Sequence, residues 1–468
     1  MMRRLALVVA AVSLGACTLT PPASAPLPTP PDHFLESANW IVADPAHDVP
    51  GSQWWTRFED PTLNALQDEF SAASPSLKIA LKRLEESREA ARAAAGSLWP
   101  KLGLAVSAAR TRTSAEAPAY STNRANPIDD FAAGTAVSYE VDVFGRLRAS
   151  AASARALADA AAGDAAALEL SLRADLVNDY FQIRALDAQL DVLEQTVKAD
   201  ERALAMTENL AASGGGTPSD VAQAKAQLEN TRAQLADTRL RRSQADHALS
   251  VLLGRAPANG RQPANPLAAT LKLPSVTPGQ PSTLLQRRPD IAAAQRRVES
   301  ARAAVGIARS AYFPVFNLGA AIGRESSRRD SWFVSPARFW SVAPSMAVTL
   351  LDGGQRRALN RSALLGLEES TEIYRKTVLI AYQEVEDQLA AVIELSAAQA
   401  STELSAQSAE VALTHAVHRY EAGASSFLEV AVAQNGLLNS RLAAITIQYR
   451  RIAATTALVR ALGGNWAS

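Results

Sequence analysis

The chain is 468 residues long, 48% hydrophobic and 20% charged, which excludes a disordered tail and allows a sizeable core in up to about three domains. Its 47 basic and 47 acidic side chains cancel, and no dense basic run with interleaved aromatics offers the phosphate attraction that nucleic-acid binding needs. One cysteine and five histidines exclude an intrachain disulfide and leave little for zinc or iron–sulfur ligation.

Residues 1–16 open with Arg3 and Arg4, continue through an apolar run from Leu5 to Val12 and close on small residues, the build of a secretory signal. The run is too short to span a bilayer permanently. Leu14-Gly15-Ala16-Cys17 is similar to a bacterial lipobox, so cleavage before the sole cysteine is expected to leave Cys17 acylated as a membrane anchor. An ordinary cleaved signal with an incidental cysteine is the alternative. Thr18 follows, where an Asp would favour the inner membrane, so the expected destination is the outer membrane of a Gram-negative cell, with the chain extending into the periplasm. Residues 17–32 form the lipidated tether: six of the eleven residues from Pro21 to Pro31 are proline, stiff and without capacity for a core.

The body reads as a duplication. At an offset of 209 residues, Asp220–Gly254 aligns with Glu429–Gly463 at 13 identities in 35 positions without a gap, where chance gives about three. The first structural repeat is assigned to residues 33–255, with strands at about 101–113 and 131–143 and long helices at about 146–210 and 218–253. Residues 256–288, rich in proline, connect the repeats. The second repeat covers 289–468, with strands at about 314–325 and 340–351 and long helices at about 355–421 and 428–462.

The strand segments alternate with a period of two. Phe131, Ala133, Thr135, Val137, Tyr139, Val141 and Val143 share an oily face, opposite Ala132, Gly134, Ala136, Ser138, Glu140 and Asp142. Trp340, Val342, Pro344, Met346, Val348 and Leu350 repeat the pattern, and Leu102, Leu104, Val106, Ala108 and Phe316, Leu318, Ala320, Ile322 echo it more weakly. Segments of this length match tilted membrane-spanning strands, although a half-buried soluble sheet alternates in the same way. In the shorter helices the small and apolar positions advance by three and then four. They run Val221, Ala224, Leu228, Thr231, Leu235, Thr238, Arg242, Ala245, Leu249, Leu252, and the second copy keeps the spacing from Val430 to Ala461. That average of 3.5 is a coiled-coil seam. The longer helices, free of internal proline, each reach on the order of 100 Å. Four strands cannot close a barrel without leaving edges in lipid, so several chains are expected to share one barrel.

No enzymatic chemistry emerges, and no cofactor or metal site is expected. Gly214-Gly215-Gly216-Thr217-Pro218 lacks the Lys-Ser/Thr of a phosphate loop and reads as one helix ending and the next beginning. His415 and His418 sit three apart on a helix without a third ligand, and Glu384, Glu386 and Asp387 lack the pocket that acid–base work needs.

The sequence resembles the TolC-like outer-membrane factors, specifically the NodT-type lipoproteins of RND multidrug efflux systems. The resemblance is carried by Cys17, Trp54-Trp55-Thr56-Arg57-Phe58-Glu59-Asp60-Pro61, Val141-Asp142-Val143-Phe144-Gly145-Arg146, Arg287-Arg288-Pro289-Asp290-Ile291 and Leu351-Asp352-Gly353-Gly354. It implies a mainly α fold with membrane β structure. The implied assembly is a homotrimer whose twelve-stranded β-barrel continues into a twelve-helix periplasmic α-barrel. It also implies a periplasmic adaptor, an inner-membrane RND transporter and outer-membrane lipid as partners, with passive conduction of small toxic compounds as the function. A conduit for protein secretion and a periplasmic adaptor are the alternatives. The resemblance further places a gate at the helix turns, where a Tyr, an Asp and an Arg form a latch. Tyr420 and Asp220 match the first two, Ser425 stands where the Arg is expected, and Glu421 and Glu429 add carboxylates able to form an acidic ring. The latch is then expected to rest on a Tyr420–Asp220 hydrogen bond; the alternative is that Asp220 merely favours a helix amino terminus and Tyr420 packs between helices.

Overall fold

The computed structural model describes residues 31, 33–37, 53–118, 125–268, 271, 273, 274, 276 and 281–464. Cys17, the expected signal and the tether up to residue 30 lie outside the described residues.

Proline and a capping aspartate open the first helix, α1 (Pro61–Ala73): Asp60 accepts hydrogen bonds from the backbone N–H groups of Thr62 and Leu63. Then follow α2 (Pro75–Gly96), β1 (Lys101–Thr111), β2 (Ile128–Val141), α3 (Arg146–Ala212) and α4 (Pro218–Leu252). The second half repeats the order with α5 (Pro281–Arg287), α6 (Pro289–Ser310), β3 (Val315–Ser326), β4 (Arg338–Ala347), α7 (Gln355–Glu421) and α8 (Phe427–Ala461). The duplication extends to helix length: α2 and α6 each have 22 residues, α3 and α7 each 67, α4 and α8 each 35. The element ends that differ most from the sequence reading are two strand ends. β4 stops at Ala347, opposite Val315, because Pro314 precedes Val315 and offers no N–H to carry the ladder further. β2 begins at Ile128, since β1 supplies partners out to Thr111. α5 is a helical segment inside the stretch read as a connection.

The chain divides into two compact units. One contains Leu84–Ala162 and Ala293–Tyr374 and holds the sheet, antiparallel throughout in the order β1-β2-β3-β4. Phe144 stacks on Phe313 at 4.6 Å beside it.

The other unit contains the described residues within Pro28–Arg83, Gly163–Ala292 and Arg375–Ser468. Its core gathers Trp54, Trp55, Phe58, Leu63 and Phe70 with Leu176, Val177, Phe181, Leu249, Leu389 and Leu458. The Arg173 guanidinium lies 4.5 Å from the Trp55 ring centre, a cation–π contact that covers the indole. The α4 seam is buried from Ala224 through Leu249. Its counterpart on α8 is buried at Val430, Leu437, Ala454, Leu458 and Ala461, but Ser440, Ala444 and Ile447 between them are only half-buried. Gln227 and Asn435 close one stretch of the α4–α8 contact by exchanging amide hydrogen bonds at 3.2 and 2.7 Å.

Candidate membrane face and channel gate

Residues directly opposite in an antiparallel pair lie on the same face, so the register decides which side chains share a surface. Val137 lies between Leu102 and Ala320, and Thr135 between Leu104 and Ile322. Ala320 and Ile322 in turn face Val342 and Trp340. All four oily files therefore fall on one face, as their alternation predicts. In the single chain the face is open along the edge strands, where Leu102 and Leu104 are each 73% exposed and Trp340 76%, and half-buried along β2. A soluble half-buried sheet would cover these residues. The opposite face carries Lys101, Glu140 and Glu325 with Ser107, Ser138, Asn317, Ser341 and Ser345 among alanines and glycines. Its bulky exception is Phe339, whose ring lies over Gly134 and Gly323; a Cβ on Gly323 would stand 2.7 Å from that ring. A Cβ on Gly323 would also clash with the Ala133 carbonyl oxygen, and one on Gly134 would stand 3.0 Å from the Ile322 carbonyl oxygen, so neighbouring backbone and the ring together leave room only for glycine. Among the described residues no helix is long and apolar enough to cross a membrane.

Each hairpin passes into a long helix through an aspartate-capped turn. Asp142 accepts from the N–H groups of Leu147 and Arg148 at 3.0 and 2.9 Å, while Glu140 takes a two-pronged pair from Arg146 at 3.0 and 2.7 Å. Gly145 sits at φ 77°, which allows the reversal. Asp352 plays the same part for α7, accepting from the N–H of Gly354 and Arg356, with Gly353 and Gly354 both at positive φ. Acidic groups at these helix starts also favour the positive end of the dipole.

The turns of the helical hairpins carry the gate candidates. After α3, Gly214 takes φ 79° and the N–H groups of Gly215 and Gly216 both return to the Leu210 carbonyl, ending the helix. Thr217 and Asp220 then form a capping box on α4: Asp220 N–H donates to Thr217 Oγ1, and the Asp220 carboxylate accepts from Thr217 N–H and Oγ1–H. After α7, Gly423 at φ 68° makes the equivalent reversal. Tyr420, 9% exposed, packs edge-on against Phe427 at 5.5 Å among Ala224, Val430 and Ala431. The expected Tyr420–Asp220 hydrogen bond is not formed. The Asp220 carboxylate is engaged by Thr217, and the buried Tyr420 hydroxyl makes no hydrogen bond. Burial, and then the Asp220 charge, push that hydroxyl above the usual phenol range. Glu429 pairs with Arg419 at 3.1 Å, and Glu421 is exposed. Arg419 is the residue that sequence reasoning missed: it supplies an arginine at this turn six residues before Ser425, where none was sought.

Two of the quoted motifs have structural roles in the helical unit. Asp60 caps α1 and also accepts from Tyr180 Oη at 2.8 Å and Arg184 at 2.7 Å. Burial and this hydrogen bond push the Tyr180 hydroxyl up to about 12. Arg288, 7% exposed, holds Asp290 and Glu384 at 2.7 Å each and donates to the Ala461 carbonyl. Glu384 therefore serves a structural pair. Among the described residues no group of three or more His, Cys, Asp or Glu could hold a metal ion.

A sheet with one apolar face and, in the same chain, a duplicated pair of long helical hairpins are the features of a channel subunit of the bacterial outer membrane. The profile of the family described as outer membrane efflux protein matches residues 66–255 and 280–464, and the chain belongs to that family. It is a transport protein and not an enzyme. The chain is 31% identical to the pyoverdine export outer membrane protein OpmQ of Pseudomonas aeruginosa, covering 100% of this chain and 98% of that one. It is 33% identical to the toluene efflux pump outer membrane protein TtgI of Pseudomonas putida, over 87% of this chain and 86% of the relative. Among solved structures, the outer-membrane channel OprN matches with a TM-score of 0.87 at 29% identity, covering 97% of this chain and 100% of that one.

Proposed function

We propose that this chain is the outer-membrane channel of a tripartite RND efflux system, a NodT-type lipoprotein working as a homotrimer. A periplasmic adaptor and an inner-membrane RND transporter would deliver small toxic compounds, which it conducts passively to the exterior. The observation that carries this reading is the sheet itself. Its apolar face is continuous, and β1 and β4 each have one edge unpaired among the described residues. Backbone groups left open in lipid cost several kcal/mol each, and the smallest bacterial barrels use about eight strands. Three copies joined edge to edge supply twelve strands and leave no edge. The named relatives belong to pyoverdine export and to a toluene efflux pump, which accords with a passive duct whose cargo is set by the pump.

Fractionation of outer membranes tests the reading. Val137→Arg puts a charge on the apolar face at a cost of about 2–4 kcal/mol per chain near mid-bilayer, and should deplete the assembled oligomer. Ser138→Arg, on the opposite face, should assemble and alter conductance. Acylation at Cys17 is a second anchor in this reading, so Cys17→Ser behind a non-lipoprotein signal should abolish incorporation of labelled palmitate yet leave the chain in the outer-membrane fraction, with less efficient assembly. The opposite ranking of the two arginine variants would overturn the assignment of faces.

Asp220, Tyr420, Glu421 and Glu429 form the periplasmic gate in this proposal, with Arg419 partly neutralising the acidic ring. Glu429→Gln should weaken the cation preference of single channels, and Arg419→Gln should strengthen it. Unchanged selectivity in both variants would leave the pair a purely structural role.

A further inference from the structure

The apolar files of the sheet end in charge only at their hairpin ends. Leu102, Leu104, Val106 and Ala108 lead to Arg110; Phe316, Leu318, Ala320 and Ile322 lead to Arg324; Met346, Pro344, Val342 and Trp340 lead to Arg338; and the β2 file ends at Asp129. Toward the helices the same files run out on Leu102, Val141, Phe316 and Met346, with no charge. One end of the apolar band thus carries three arginines against one aspartate.

That aspartate is taken: Arg110 and Asp129 pair across the strands at 3.5 Å. Arg324 and Arg338 are direct cross-strand partners, an arrangement of like charges that is unfavourable unless an anion lies between or above them. Their hydrogen bonds go to neutral acceptors. Arg324 donates to the carbonyls of Trp332 and Val334 at 3.3 Å each, and Arg338 donates to Ser335 Oγ at 2.7 Å. Trp332 Nε1–H donates back to the Arg324 carbonyl at 3.4 Å, so the β3–β4 hairpin holds the guanidinium in place without neutralising it. The nearby Asp330 pairs with Arg328, and Glu325 belongs to the opposite face of the sheet.

We propose that Arg324 and Arg338 bind the phosphate headgroups of anionic lipid in the leaflet that surrounds the hairpin end of the sheet. This rests on the membrane reading above, in which the helices occupy the periplasm and the hairpins face outward. Depth fits the assignment. A lipid-facing arginine is costly at mid-bilayer and nearly free at the headgroup level, so the point where the apolar files end in arginine marks that level. Guanidinium forks suit phosphate oxygens, and each basic side chain near an anionic surface adds to the attraction. The paired Arg110 contributes less, because Asp129 already offsets it.

Trp340, one position inward of Arg338 on the same face, is the reporter. The full chain in neutral detergent is titrated with brominated phosphatidic acid or brominated phosphatidylcholine, and quenching is assigned to this site by comparison with Trp340→Phe. Phosphatidic acid should quench at about a tenth of the phosphatidylcholine concentration or less, and 0.5 M salt should erase the difference. Arg324→Gln with Arg338→Gln should bring the two titrations together while leaving the phosphatidylcholine curve unchanged, Lys at both positions should keep most of the preference, and Arg110→Gln should keep nearly all of it. A wild-type protein that quenches equally with both lipids, or a preference that survives high salt or the double Gln variant, overturns the phosphate assignment alone. Quenching by neither lipid overturns the membrane face as well.

Discussion

Asp60→Ala is expected to be among the most damaging single substitutions in this chain, at about 3–5 kcal/mol. Asp60 accepts four hydrogen bonds, two from the start of α1, one from Tyr180 and one from Arg184. Losing a helix cap costs about 0.5–2 kcal/mol. The larger part comes from Arg184, whose side chain is 9% exposed and would keep only the Asn265 carbonyl, at 3.3 Å, as an acceptor. A buried cation stripped of its partner is the expensive state. Asp60→Asn keeps the cap and should fall between the wild type and the alanine variant. Asp60→Ala combined with Arg184→Met removes both charges and should recover much of the loss. Thermal melting of the purified protein by circular dichroism orders the four; a double variant no better than Asp60→Ala would show that the ion pair is not the source of the cost.

Gly254→Val should cost about 2–5 kcal/mol through two separate effects. Gly254 has φ 74°, a region that β-branched side chains pay to enter. A Cβ there would also stand 2.7 Å from the Ala73 carbonyl oxygen and 3.1 Å from Pro75, backbone and ring atoms that cannot swing aside. Gly463 repeats the arrangement at φ 83°, with its Cβ 2.8 Å from the Arg287 carbonyl oxygen. Valine at either position should reduce the yield of folded chain in membranes. Gly436→Ala is the control: nothing lies within 4 Å of its Cβ, and in the helical interior alanine should be neutral or stabilising by up to about 1 kcal/mol. Equal yields for Gly254→Val and Gly436→Ala would contradict the close approach.

Much of this fold is legible in the chain because its signals are local. Period-two alternation from Phe131 to Val141 and the three-four advance from Val221 to Leu249 each arise from neighbouring residues, and both survive in the structure. Proline as the first residue of α2 and α6, and glycine just after α3 and α7, mark helix ends by what their own backbones allow. The repeat of Leu253-Gly254 at Leu462-Gly463 was visible as an identity, but its cause was not: each glycine makes room for a carbonyl about 180 residues away in sequence.

The gate is built from shorter-range contacts. Sequence order places Asp220 and Tyr420 at matching turns, yet Asp220 is held by Thr217 three residues away, and Tyr420 buries its ring against Phe427. Arg419 and Glu429 meet only because α7 and α8 lie side by side at that turn. Asp60 and Arg184 find each other across 124 residues. Composition, period and capping chemistry were enough for the four strands, their faces and the four long helices, since each is set within one or two turns of chain, while the shorter helices α1, α2, α5 and α6 were not read from the sequence. Which side chains share a surface or an ion pair was decided by strand register and helix packing, because those contacts depend on residues far apart in sequence whose meeting no local pattern encodes.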